Sequence, residues 1–117
     1  MLIEKLRTMS ELWIREDITK AVIAVSAEFN DQQRQVMKEA CNLAGLNVKS
    51  IIASPTAAAI AYKLEQDPDI NMRAVIVFDL GHTSLEVSGL FIDGGEINVV
   101  GVKRVANFGA RDFTEKI

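Results

Sequence analysis

The sequence predicts a mixed α/β fold, on three observations. Short apolar runs alternate with amphipathic segments of helical period over residues 2–64. A polar, proline-containing stretch follows, and three strand-like runs then come in succession. The order α-β-α-β-α followed by β-β-β-α suits a mixed architecture better than one closed sandwich.

Leu2, Leu6, Met9 and Trp13 recur at helical spacing, with Ile3 and Leu12 widening the stripe, so residues 2–14 are predicted to form an amphipathic helix with Trp13 in the core. Ala21-Val-Ile-Ala-Val25 is short, apolar and partly β-branched, as a strand buried on both faces should be. Asn30 with Gln33 three positions on is a capping-box pattern. Val36, Met37, Ala40, Cys41 and Ala44 line one face of the helix it opens, and Gly45 can end that helix. A second strand runs from Val48 to Ala53. Pro55 then suits the first turn of a helix reaching Leu64, whose alanines allow close packing.

Residues 65–72, polar and holding Pro68, break the periodicity. The linker is set at 67–73, dividing a first part, 1–66, from a second, 74–117. Strands are predicted at Ala74–Phe78, Leu85–Ile92 and Ile97–Val105, with Gly81 and the Gly94-Gly95 pair at the turns and a helix beginning near Asp112. The first part supplies only two strands, so its sheet should have open edges, and the isolated chain is expected to self-associate or to belong to something larger.

The chain has 117 residues, 49% hydrophobic and 25% charged, the balance of an ordinary globular domain. A net charge of −3 provides no cationic field for nucleic acid or anionic lipid, so neither partner is expected. Charges interrupt the opening residues where a secretory signal needs an apolar run, and the single cysteine, Cys41, suits a reducing compartment; the expected location is cytoplasmic.

Chemistry concentrates in Val75-Ile-Val-Phe-Asp-Leu-Gly-His-Thr-Ser-Leu-Glu-Val-Ser88. An apolar strand ends on a carboxylate, turns through glycine and hydroxyl residues, and returns as another strand. Such a hairpin can offer backbone N–H groups and hydroxyls to a phosphate while Asp79 reaches a magnesium-bound water. His82 is the sole histidine, and a metal cluster there would need Asp79 and Glu86, which alternate along the hairpin and need not share a face. Cys41 lies on an apolar helix face, where a buried thiol is the default.

Ala21-Val-Ile-Ala-Val-Ser-Ala-Glu-Phe-Asn-Asp-Gln-Gln-Arg-Gln35, Ala44-Gly-Leu-Asn47, Ser54-Pro-Thr-Ala-Ala-Ala-Ile-Ala-Tyr62 and Phe78-Asp-Leu-Gly81 resemble, in order and spacing, part of the ATPase domain of the heat-shock protein 70 family. The resemblance implies an actin-like ATPase (ribonuclease H-like) fold, present here as the end of its first lobe and the start of its second. It implies ATP or ADP with Mg2+ as cofactor of the full-length protein. Asp79 then matches a catalytic aspartate that contacts the metal through water, Gly81, His82, Thr83 and Ser84 occupy the phosphate-binding turn, and Arg34 matches an arginine that couples nucleotide state to the substrate domain.

The departures from the pattern matter equally. Ala53-Ser54 stands where the family has Asn-Glu, so a carboxylate serving the metal's water shell is missing. His82 and Thr83 replace glycines, Glu86 replaces an aspartate, and Ser26 replaces the proline of Val-Pro-Ala. Gly-His with a following hydroxyl, and Arg111 before Asp-Phe, look more like the 110-kDa branch, whose members act chiefly as nucleotide-exchange factors. The expected function is therefore a chaperone ATPase-domain fragment with little or no hydrolysis of its own, whose parent meets unfolded clients and co-chaperones. The alternative is a non-enzymatic co-chaperone or exchange module.

Overall fold

The structure is a computed structural model that describes residues 2–66 and 72–115. It contains two compact units: Met1–Val25 with Phe29–Ile52, and Ser26–Glu28 with Ala53–Ile117. Most of the linker set at 67–73 lies outside the described residues.

The first unit holds α1 (Leu2–Ile14), β1 (Lys20–Val25), α2 (Asp31–Leu43) and all but the last residue of β2 (Asn47–Ala53). Strands β1 and β2 pair in a two-stranded sheet. Its core is Cys41, Leu46 and Val48, against which Ile3, Ile18, Ala21, Ile23, Met37 and Ile51 pack. The capping box forms in full: Asn30 Oδ1 accepts from the Gln33 N–H at 2.8 Å, and Gln33 Oε1 accepts from the Asn30 N–H at 2.9 Å. The two contacts satisfy N–H groups that the start of the helix leaves without intrahelical partners.

Helix α2 ends as its sequence requires. Gly45 takes φ +83°, the left-handed region, and the Leu46 N–H returns to the Cys41 carbonyl at 3.0 Å. Arg7 of α1 reaches this end, its Nη1 donating to the Ala44 carbonyl at 3.1 Å while its Nε pairs with Glu11 Oε1 at 2.9 Å. A cation at a helix C-terminus meets the negative end of the helix dipole. A Cβ at Gly45 would run into the Arg7 guanidinium, a second reason for glycine there.

Trp13 departs from expectation. It is 87% exposed, and Leu2, Leu6, Met9 and Leu12 are exposed with it. The helix turns only a narrow edge inward: Ile3 packs on the core, while the rest of the stripe faces outward. Helical period locates an apolar stripe but does not say how much of it finds a partner.

The second unit holds α3 (Ser54–Ala61), a 3₁₀ turn (Leu64–Gln66), β3 (Met72–Leu80), β4 (Ser84–Asp93), β5 (Glu96–Ala106) and α4 (Ala110–Glu115). The strands form an antiparallel sheet in the order β3-β4-β5. The α3 helix stops three residues short of Leu64, because Lys63 turns left-handed at φ +56°. Strand β3 is longer than its apolar run, extending through Asp79 to Leu80. The Gly94-Gly95 turn has positive φ at both residues, the geometry that lets a two-residue hairpin follow strand twist.

Strand β4 alternates cleanly: Glu86, Ser88, Leu90 and Ile92 are buried, and the residues between them are partly exposed. Helix α3 lies against the sheet, with Ala59 only 1% exposed, so a larger side chain would not fit. Leu90 and Ile92 each contribute on the order of 1.5–3 kcal/mol by leaving water. Continuing the alternation to Ser88 and Glu86 brings polar groups onto the buried face, and that polar end of the face forms the candidate site.

Candidate functional site

Asp79 and Glu86 are direct cross-strand partners in the β3–β4 register. Partners of this kind project to the same face of a sheet, which the hairpin spacing had left open. Both line a cavity of about 260 Å³ whose other oxygen-bearing walls are Ser54, at the start of α3, and Ser88. Pro55 and Val77 supply apolar wall. Asp79 is exposed and its carboxylate has no hydrogen bond or ion pair among the described residues.

Glu86 is held quite differently. It is 8% exposed and accepts on both oxygens: the Ser26 hydroxyl donates to Oε2 at 2.5 Å, and the Ala27 N–H donates to Oε1 at 3.2 Å. The Glu28 N–H donates in turn to Ser26 Oγ at 3.2 Å. A buried carboxylate needs such donors, since an unpaired one would take its full desolvation cost. Ser26–Glu28 thus forms a small cap on the polar end of β4.

The hairpin turn is fixed from the other side. Its own closure is the Gly81 N–H to the Ser84 carbonyl at 2.9 Å. The Ala110 and Arg111 N–H groups at the start of α4 donate to the Gly81 and His82 carbonyls at 2.8 and 3.1 Å. Asp112 Oδ2 accepts from the Gly109 N–H at 2.8 Å, closing the helix start on itself. Gly109 is buried so tightly on the turn that a Cβ there would lie 2.6 Å from the Gly81 oxygen and closer still to His82. With the Gly81 and His82 carbonyls engaged, the His82 and Thr83 N–H groups have no partner among the described residues, and both side chains are exposed.

The structure therefore brings Asp79, Gly81, His82, Thr83 and Ser84 together on one hairpin. Arg34 belongs to the first unit, half-buried on α2, with Nη1 and Nε each 3.4 Å from the Ile51 and Phe29 carbonyls. Among the described residues no cluster of three or more His, Cys, Asp or Glu could hold a metal by itself. The oxygen donors around the 260 Å³ cavity nevertheless suit a hard cation such as Mg2+, which keeps several waters and needs only one or two carboxylates. Sequence reasoning missed Gly109 and the Ser26–Glu86 contact. Gly109 sits in a recognisable Gly-Ala-Arg-Asp-Phe run, but nothing local shows that it meets the hairpin.

Among the described residues no helix is long and apolar enough to cross a membrane. The family model described as Hsp70 protein matches residues 1–117. The chain is 38% identical over 117 residues to Heat shock 70 kDa protein BIP3 of Oryza sativa subsp. japonica, a match covering 100% of this chain and 17% of that protein. It thus spans about a sixth of the length of this curated relative. A family-model match over residues 1–117, with 38% identity along the whole chain to a protein named as a heat shock 70 kDa protein, establishes that the chain belongs to the Hsp70 family and that its mixed α/β structure is part of that family's actin-like ATPase fold.

Proposed function

We propose that this chain supplies the phosphate-binding hairpin of a chaperone ATPase domain and hydrolyses little or no ATP by itself. The observation that carries the reading is the tip of the β3–β4 hairpin. Its Gly81 and His82 carbonyls are tied to α4, its His82 and Thr83 N–H groups are unengaged among the described residues, and the Asp79 carboxylate beside it is exposed. Backbone N–H groups gathered at a turn form an anion cradle, and a nearby carboxylate can hold a water of the magnesium that accompanies a nucleotide.

In this reading Asp79 holds the water-mediated magnesium contact, while Gly81, His82, Thr83 and Ser84 face the β- and γ-phosphates. Mg2+ supplies charge neutralisation on those phosphates. Residues 1–66 belong to the first lobe and 74–117 to the second, with Arg34 as the residue that transmits nucleotide state. Clients and co-chaperones engage the full-length protein, in the cytoplasm, and open sheet edges favour self-association of the chain alone.

A second reading has a specific observation in its favour. Ser54 replaces a carboxylate on the cavity wall and Glu86 is committed to Ser26 and Ala27, so the site holds less available negative charge than magnesium-assisted hydrolysis calls for. That suits a co-chaperone or nucleotide-exchange module which keeps the fold and has given up turnover. Calorimetric titration of Mg-ADP separates the readings. Asp79→Asn should weaken binding at least ~10-fold if the hairpin is a working phosphate site, whereas absence of binding in the unaltered chain favours the interaction module.

A further inference from the structure

We infer that Ser26 is a positioning residue for the cation side of this cavity: its hydroxyl keeps Glu86 engaged with the cap, so that Asp79 is the carboxylate offered to a divalent ion. The inference rests on reading the hairpin as a magnesium-nucleotide site.

Asp79 and Glu86 sit opposite one another in register and line the same cavity, so a cation there could draw on both. They are nevertheless in opposite states. Glu86 is buried and accepts at both oxygens, from Ser26 and from Ala27, whereas Asp79 is exposed and unengaged among the described residues. A carboxylate that already accepts two hydrogen bonds has its charge partly neutralised and its orientation fixed, and it is a poorer ligand for a hard cation. Ser26 is itself oriented by the Glu28 N–H, which leaves its hydroxyl proton for Glu86. Of the two donors the hydroxyl is the one a side-chain change removes, so Ser26 governs how much of Glu86 the cavity can use.

Removing the hydroxyl should therefore tighten cation binding, the reverse of what losing a merely structural contact does. The probe is Mn2+ alone, titrated into the full 117-residue chain and followed by electron paramagnetic resonance. Ser26→Ala should bind Mn2+ about 10-fold more tightly than the unaltered chain, since affinity at such sites follows the number of charged ligands. Ser26→Thr, which retains a hydroxyl, should match the unaltered chain, and Ser26→Ala with Glu86→Gln should lose the gain.

If Ser26→Ala proves too unstable to titrate, Glu86→Gln alone still decides. Its Mn2+ affinity should stay within about twofold of the unaltered chain, because Glu86 is not a ligand while Ser26 holds it. A large loss overturns the inference. Binding in the unaltered chain with no gain in Ser26→Ala overturns the inference and leaves the phosphate-hairpin reading standing. No Mn2+ binding by any form overturns the inference, and the Mg-ADP titration decides the phosphate-hairpin reading separately.

Discussion

The Ser26 hydroxyl meets the Glu86 carboxylate at 2.5 Å, joining residues 60 positions apart. Each is a departure from the Hsp70 pattern, serine where proline is usual and glutamate where aspartate is usual, and in space the two departures are partners. Serine supplies a donor that proline lacks, and the longer glutamate side chain accepts it. Deleting either should therefore cost more than deleting the second once the first is gone. Glu86→Ala leaves the Ser26 hydroxyl and Ala27 N–H without their acceptor and should destabilise the second unit by roughly 1–3 kcal/mol. A double-mutant cycle with Ser26→Ala, measured by urea unfolding, should show a coupling of about 1 kcal/mol; strictly additive losses would mean that the pair is incidental.

Gly109→Ala should loosen the hairpin tip. The new Cβ would press on the Gly81 and His82 carbonyls, which accept from Ala110 and Arg111. Overpacking of this kind costs about 1–3 kcal/mol. Amide exchange at Gly81, Ala110 and Arg111, whose N–H groups make the contacts of the clamp, should accelerate, with little change in α2; uniform exchange across the chain would contradict the local clamp.

Acid should weaken the first unit through Glu11. The Ile18 N–H, first, and Arg7, second, hold its carboxyl below the ordinary 4.5. The unfolded chain binds this proton at higher pH than the folded one, so the stabilisation is complete above about 4.5 and is lost as pH falls through the depressed folded value. Thermal unfolding followed across that window should show a shallower pH dependence in Glu11→Gln. Identical profiles would remove Glu11 from the acid response.

Asn30→Ala should remove the N-cap of α2 and cost about 1 kcal/mol, measurable as a lowered urea midpoint. Asn30→Asp, which keeps the acceptor for the Gln33 N–H, should restore most of it.

The sequence made local features legible. The capping box at Asn30 and Gln33, the stop at Gly45 and the three successive strands each depend on residues a few positions apart, and each is found close to where periodicity and turn chemistry put it. Features that depend on distant partners were not legible. Trp13 has the right period for a core face, yet the helix residue that packs on the core is Ile3, itself only partly buried. Strand β3 extends past its apolar run because pairing with β4 satisfies the backbone of Asp79 and Leu80 whatever their side chains. At the site, the motif marked Asp79 and the turn, whereas the partner of Glu86 lay in a tripeptide between β1 and α2 that no spacing rule connects to it.

The central claim is that the hairpin tip cradles phosphate, and the most direct test is an amide nitrogen–proton correlation spectrum of the 117-residue chain titrated with Mg-ADP and Mg-ATP. The expected result is saturable movement of the Gly81, His82, Thr83 and Ser84 resonances, abolished in Asp79→Asn and accompanied by little or no phosphate release. Stationary hairpin resonances at millimolar nucleotide, or movement confined to residues outside the hairpin, would contradict it.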